Sequence, residues 1–369
     1  MGNKSSIVGI IAIILGAAGL GIGTFSVINF QTVEGPQGPP GQDGNDGTDG
    51  IDGTDGQDAP TYANVYYCSS GVEIQNAIDS IGAGSGKIII TQDITLTDTI
   101  DIDKGGNVVI EGLYAITVDL GGERTGLNIT NTSYCLIRDF KINGSDIIVT
   151  NNVSILINEI NDNRIKIENV EITSINNEGK GILIESSNVD IIDCYISGFD
   201  VCIAGYSTAS YLYISGNILL DGSVNCLVIS CDNSRITNNY IANPNIANFG
   251  FLVHLGDSSN ITVSNNIVET YGGYGIILYG SDYSTVSSNV VHSLSPTASK
   301  HGIIIFNQGN YNTIIGNSVL GFSTTGSIGY YVWDFNSNYN IFIGNQANDC
   351  QSDFQDQSGT AKEYGNSWN

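Results

Sequence analysis

The residues best suited to chemistry in this 369-residue chain crowd its middle: Arg138, Asp139, Lys141, Arg164, Lys166, Glu168, Glu171, Glu185, Asp190 and Asp193. Cleaving a glycosidic bond needs an acid and a base or nucleophile at fixed separation, so carboxylates in this number are candidates for that work. As solvated outward faces the same residues need no catalytic explanation, and no catalytic residue is assigned. The three histidines, His254, His292 and His301, stand alone, without a second ligand at metal-binding spacing. His292 and His301 flank the loop 293–300, where a surface role is expected. Cysteines at 68, 135, 194, 202, 226, 231 and 350 form no Cys-x-x-Cys pair. Most sit in strand-like phrases, as buried apolar residues do, although Cys226 with Cys231, or Cys194 with Cys202, could pair in an oxidising compartment.

What positions all of these is a repeat. From Gly181 to Asn345 one phrase returns: a small residue, an alternating apolar segment, a polar bend, then an Asn before more alternation. The openings are Gly181-Ile-Leu-Ile, Gly250-Phe-Leu-Val, Gly275-Ile-Ile-Leu, Gly302-Ile-Ile-Ile and Gly329-Tyr-Tyr-Val. The closing residues are Asn169, Asn217, Asn239, Asn266, Asn289, Asn317 and Asn345, with Cys194 in one slot. From Asn217 onward the spacings are 22, 27, 23, 28 and 28 residues, an elastic period that marks a solenoid. Apolar positions alternate at two, so each piece is a strand with one buried side. Asn tolerates the left-handed conformation of a tight bend, and its amide can bond its counterpart one coil away. The expected fold is all-β: a right-handed parallel β-helix with three short strands per coil and roughly ten coils.

Alternation also assigns outward side chains. With Ile276, Leu278, Ile303, Ile305, Tyr330 and Val332 inward, the outward pairs are Leu252 and His254, Ile277 and Tyr279, Ile304 and Phe306, and Tyr331 and Trp333. Earlier coils give Asn128 and Thr130, then Leu183 and Glu185. Stacked at about 4.8 Å, the later pairs make an apolar, aromatic face larger than isolated soluble surfaces show. It would be buried between protomers, or stack sugars on its rings. A covering loop or a one-residue slip in register would remove it.

Ahead of the coils, Ser69-Ser70 and Val72-Glu-Ile-Gln-Asn-Ala-Ile-Asp-Ser-Ile predict a capped amphipathic helix with Ile74, Ala77, Ile78 and Ile81 on one face. A glycine-rich turn, 82–86, and the strand Lys87-Ile88-Ile89-Ile90 follow. The phrase Gln75-x-Ala77-Ile78-Asp79, the turn and the Ile strand resemble the capping segment of pectate-lyase-like β-helix proteins. Near the other end Trp368 resembles their C-terminal plug. The resemblance covers about residues 65–369 and extends to the repeats shared by carbohydrate-binding and sugar-hydrolysing proteins. It implies a carbohydrate ligand and leaves activity open. Arg164-Ile165-Lys166 is similar to a polygalacturonase motif, but the companion Asn-Thr-Asp, Asp-Asp and Gly-His-Gly segments are missing.

The N-terminal part reads differently. Residues 7–28 are an apolar run long enough to cross a membrane of roughly 30 Å as a helix. Lys4 precedes it and no basic residue follows until Lys87, which puts the N-terminus in the cytoplasm and the rest outside. A cleaved signal with Ala17-Ala18-Gly19 at its end is the alternative. From Gly35 to Asp58 glycine holds every third position, and these Gly-x-y triplets resemble collagen, which implies three chains because only glycine fits at the shared axis. Asp fills the third slot at 43, 46, 49, 52, 55 and 58, so calcium is a possible ligand there; no other cofactor is expected. A flexible acidic linker would have the same composition.

Twelve basic against 37 acidic residues give a net charge of −25, which excludes nucleic-acid binding by a basic face. The expected organisation is a cytoplasmic tip (1–6), a single-pass membrane anchor (7–29), a collagen-like stalk (30–59), a capping segment (60–86), the β-helix (87–349) and a C-terminal cap or tail (350–369). Sequons at Asn128, Asn131, Asn143, Asn152 and Asn260 are candidate glycosylation sites. The expected function is glycan or cell-coat binding at the cell surface by a homotrimer. A tethered polysaccharide lyase or glycoside hydrolase, and a purely structural spike, are the alternatives.

Overall fold

The computed structural model describes residues 64–368, apart from short segments at 114–115, 121–124, 145–151, 159–163, 176–177, 207, 244–249 and 296–299. The apolar run 7–28 and the Gly-x-y run 35–58 lie outside the described residues. Among the described residues no helix is long and apolar enough to cross a membrane.

The chain winds into a parallel β-solenoid of three sheets, A, B and C, with 13, 12 and 11 strands respectively. Every pairing is parallel and joins one coil to the next, so each coil visits C, A and B in turn. A single coil cannot bury its own apolar side; stacking makes one continuous core. In one coil Ile276 and Leu278 from C, Val286 from A and Val291 from B are all fully buried in the tube. Each such side chain is worth about 1.5–3 kcal/mol once removed from water.

Two corners are lined by buried polar ladders. Between A and B, the Nδ2 of Asn217 donates to Oδ1 of Asn239 at 2.9 Å, and the pattern repeats through Asn266, Asn289, Asn317 and Asn345 to Asn366. Each Oδ1 also accepts the backbone N–H of the ladder residue one coil before. Cys194 begins the file, donating its backbone N–H to Asn217. Asn169 stands one residue off this file: its φ is +52°, its amide bonds Asp139, and Val170 fills the ladder slot. The corner uses two successive residues, a left-handed one and a ladder one, and Asn suits both, so Asn169 shares the residue type of the rungs without being one. Between C and A, Ser284, Asn312 and Asn340 form the second ladder, with Ser234 two coils earlier and Ile261 in the slot between.

At the N-terminal end, helix α1 (Gly71–Ile81) starts at Ser70, whose hydroxyl accepts from the Glu73 N–H. Its buried Ile74, Ala77, Ile78 and Ile81 join the tube core. Gln75 pairs with the edge strand of sheet C, donating to the Asp101 carbonyl at 3.1 Å and accepting its N–H at 2.9 Å. One side-chain amide thus satisfies backbone groups that a neighbouring strand would have taken. At the far end Trp368 stacks on Phe354 at 5.5 Å and lies 5.2 Å from Tyr330.

All seven cysteines are free. Ladder register sets Cys202 beside Cys226, both inside the tube. Burial pushes the Cys135 and Cys194 thiols up to about 12, so they are inert apolar filling.

Candidate functional site

Outward positions on sheet A form files running along the tube. One file passes Lys166, Asp190, Tyr213, Arg235 and Thr262, each the ladder partner of the next. With Arg164, Tyr211, Asn233 and Asn260 from the adjoining strands and corner, they line an open groove of about 670 Å³. Arg164 donates Nε and Nη2 to one oxygen of Asp190, at 3.1 and 2.7 Å, and Lys166 is held by Glu168 at 2.7 Å. Arg235 is exposed, and no described carboxylate pairs with it. It lies between Tyr213 and Thr262, so an unpaired guanidinium with aromatic and hydroxyl neighbours faces solvent in a strongly acidic chain.

The middle-coil charges do not converge. Arg138, Arg164, Lys166, Glu168 and Asp190 are on sheet A, Lys141 and Glu171 on B, Glu185 on C, and Asp139 and Asp193 at the A–B corner. Most are spent on one another: Lys87–Glu111–Arg138–Asp139 is a continuous chain of ion pairs, and Lys141 meets Glu171 at 2.7 Å. Burial works to raise the Glu111 carboxyl, but its bonds from Lys87 and Arg138 outweigh this and hold it below the ordinary range. A general acid needs the opposite shift. The carboxyls that burial does raise, Asp221 and Asp353, stand in the C-terminal half away from this set. The groove has a binder's inventory, without a carboxylate pair.

The expected aromatic face on sheet C requires correction. Leu252 is fully buried in the tube core, because each later C strand enters from its bend with two successive inward residues. Register pairs Phe251 with Tyr274, which sets Leu252 level with Gly275, not one step outward. At the equivalent Gly302 a Cβ would collide with Val319 and the Gly329 carbonyl. Ile277 and Ile304 do point away from the tube, yet they are 2% and 0% exposed. With Tyr274, Ile328 and Tyr331 they form a second core, flanked by Phe251, Tyr279, Phe306 and Trp333. Neither a sugar nor a second protomer can reach them. His301 belongs to this layer and not to the surface: it is buried, 5.0 Å from the Tyr331 ring, and its Nδ1 accepts the Ile328 N–H. Burial, then the Lys300 charge, pushes its pKa down to about 4. His254 lies 5.9 Å from Tyr279, with its Nε2 buried and unpartnered, and burial lowers its pKa despite Asp257.

Of the sequons, Asn131 and Asn260 are exposed at left-handed corners, whereas Asn128, Asn143 and Asn152 are half-buried in or beside strands. A file of exposed tyrosines runs along the C–A corner. Tyr283, Tyr311 and Tyr339 stack at 5.1 Å per step, all with left-handed φ. Their signal was present: Asp-Tyr-Ser, Asn-Tyr-Asn and Asn-Tyr-Asn at intervals of 28 residues.

Comparison with known proteins gives the class. Residues 125–291 match the family described as right handed beta helix region, and residues 252–369 match the family described as periplasmic copper-binding protein (NosD). The chain therefore carries right-handed β-helix repeats. No curated protein matches it. Among solved structures, the Dettilon tailspike protein is similar at TM-score 0.54 and 14% identity, over 82% of this chain and 68% of that one. The periplasmic alginate epimerase AlgG is similar at 0.53 and 17%, over 77% of each chain. An alginate lyase from a Paenibacillus species is similar at 0.51 and 16%, over 73% of this chain and 98% of the other. At these identities the likeness is one of fold. The copper of the second family does not fit the residues present: among the described residues no three His, Cys, Asp or Glu side chains come together as a metal site.

Proposed function

We propose that this chain is a surface polysaccharide-binding protein whose sheet A groove takes an acidic glycan. In the same proposal, residues 7–28 anchor it with its β-helix outside the cytoplasm, the Gly-x-y run joins three copies, and α1 covers the N-terminal end of the tube. Exposed Arg235, unpaired beside Tyr213, is the observation that carries the groove assignment. A guanidinium matches a uronate carboxylate in a bidentate fork, and a tyrosine ring offers a sugar an apolar face. The net charge of −25 opposes a polyanion weakly at physiological salt, because charges more than about 8 Å from the groove are largely screened. Inside the groove Arg164, Lys166 and Arg235 outnumber Asp190.

The test is retardation of the purified chain in gels carrying alginate or polygalacturonate, against dextran. Retardation by the acidic polymers alone, reduced several-fold in Arg235→Ala, is the expected result. Equal retardation of Arg235→Ala and the unaltered chain would overturn the groove. Incubating the same polymers with the protein and assaying reducing ends separates binding from the lyase or hydrolase alternative. Absence of both binding and cleavage leaves the structural spike.

A further inference from the structure

We infer that the outer face of sheet B is where copies of this chain meet, an inference that rests on the three-chain proposal above. The first outward file on B runs Tyr195, Ile218, Tyr240, Ile267 and Val290, continuing as Ser318 and Gln346. Tyr195 and Val290 are 36% and 37% exposed, and Ile218 and Ile267 reach 41% and 46%. At strand spacing the apolar stretch from Tyr195 to Val290 is about 20 Å long. Contiguous exposed apolar surface of this kind marks an interaction site on soluble proteins.

Charge identifies the occupant. Acidic residues outnumber basic ones 37 to 12 in this chain, yet from Tyr195 to Gln346 the file carries no charged residue. It begins where the Lys141–Glu171 ion pair ends. In the neighbouring file the one carboxylate, Glu269, accepts from the Tyr240 hydroxyl at 2.6 Å and is paired in register with His292. Around a three-fold axis parallel to the tube, the side chains nearest the axis meet their own copies at the same height, so a charge on the axial file meets itself. An uncharged apolar file tolerates such self-meeting; an acidic one does not. The Gly-x-y run ends at Asp58, shortly before the first strand at Asn64. A triple helix there would hold the copies at millimolar effective concentration, where a modest face suffices. On sheet C the middle apolar file is already covered, and only its flanking rings, Phe251, Tyr279, Phe306 and Trp333, stay partly exposed.

The experiment uses the full chain in detergent micelles. Sedimentation mass reads the number of copies, and mild oxidation of Ile267→Cys and of Thr285→Cys, an outward position on sheet A, reads the face. The unaltered chain sets the background from its own cysteines. A three-chain mass with intermolecular disulfide in Ile267→Cys, at least several-fold above Thr285→Cys, is expected. A three-chain mass with equal cross-linking at both positions, or none at Ile267→Cys, overturns the sheet B face and leaves the trimer standing. A monomeric mass overturns the trimer and this inference together.

Discussion

Sheets B and C both turn apolar side chains outward on successive coils, but solvent reaches them differently. Ile277 and Ile304 on C are 2% and 0% exposed, whereas Ile218 and Ile267 on B keep 41% and 46%. Strand length accounts for this. The C strands Phe251–Gly256, Tyr274–Tyr279 and His301–Phe306 are six residues long and give three outward files. Their middle file is therefore flanked on both sides, and the flanks are rings: Phe251, Tyr274 and His301 on one, Tyr279 and Phe306, followed by Trp333, on the other. The B strands Ile218–Leu220, Tyr240–Asn243 and Ile267–Thr270 are three or four residues long and give two files, neither enclosed. An outward apolar residue is exposed or buried according to what its own strand can lay over it.

The largest test of this contrast is a carboxylate in one outward file of each sheet. Ile304→Asp places a charge where there is neither water nor a partner, and a cost above about 4 kcal/mol is expected, enough to unfold an ordinary domain. Ile267→Asp, half in water already, should change the stability of the folded chain by less than about 1 kcal/mol. Thermal unfolding followed by circular dichroism distinguishes them. Should Ile304→Asp melt together with the unaltered protein, the sheet C layer is not a core.

Acid should loosen sheet C more than sheet B. His301 titrates near 6.5 when unfolded and about 4 when folded, because burial and then Lys300 disfavour its charged form. Between those values the unfolded chain binds the extra proton, so stability falls as pH drops from 6.5 to 4 and is unaffected by this group above 6.5. The shift corresponds to at most about 3 kcal/mol. Denaturant midpoints measured at pH 7 and pH 4.5 should move apart less in His301→Gln than in the unaltered chain. Parallel movement of the two proteins would show that His301 is not shielded in this way.

Much of this was legible in advance, for reasons that particular residues make clear. The rungs Asn217 to Asn345 recur because each must meet its neighbour one coil away, so their spacing is the coil length. Asn169 was misplaced because the residue before a rung also favours Asn, and only the backbone angle separates the two. Leu252 was turned outward because strict alternation fails at the bend that opens each later C strand. The groove was invisible for a different reason. Arg235 is set apart by the lack of a described carboxylate partner, and its neighbours Tyr213 and Thr262 are on other coils, 22 and 27 residues away. The exposure of sheet B likewise depended on strand length, which a two-residue period does not report.

The smallest effect is the one that bears most directly on sheet B. Ile267→Thr keeps a β-branched side chain in the strand and removes apolar surface that is already wet, so the single folded chain should change by no more than about 0.5 kcal/mol. The same exchange at Ile304 buries a hydroxyl and loses packing, for about 2–3 kcal/mol. If copies meet on sheet B, however, unfolding of the assembled protein is linked to dissociation, and its melting temperature rises with chain concentration. Ile267→Thr should then flatten that rise while leaving the dilute-limit melting temperature in place. Ile304→Thr should lower the melting temperature at every concentration and leave the slope intact. Melting curves over a hundredfold dilution series resolve the two patterns, and a slope that Ile267→Thr does not alter would mean that sheet B stays in water.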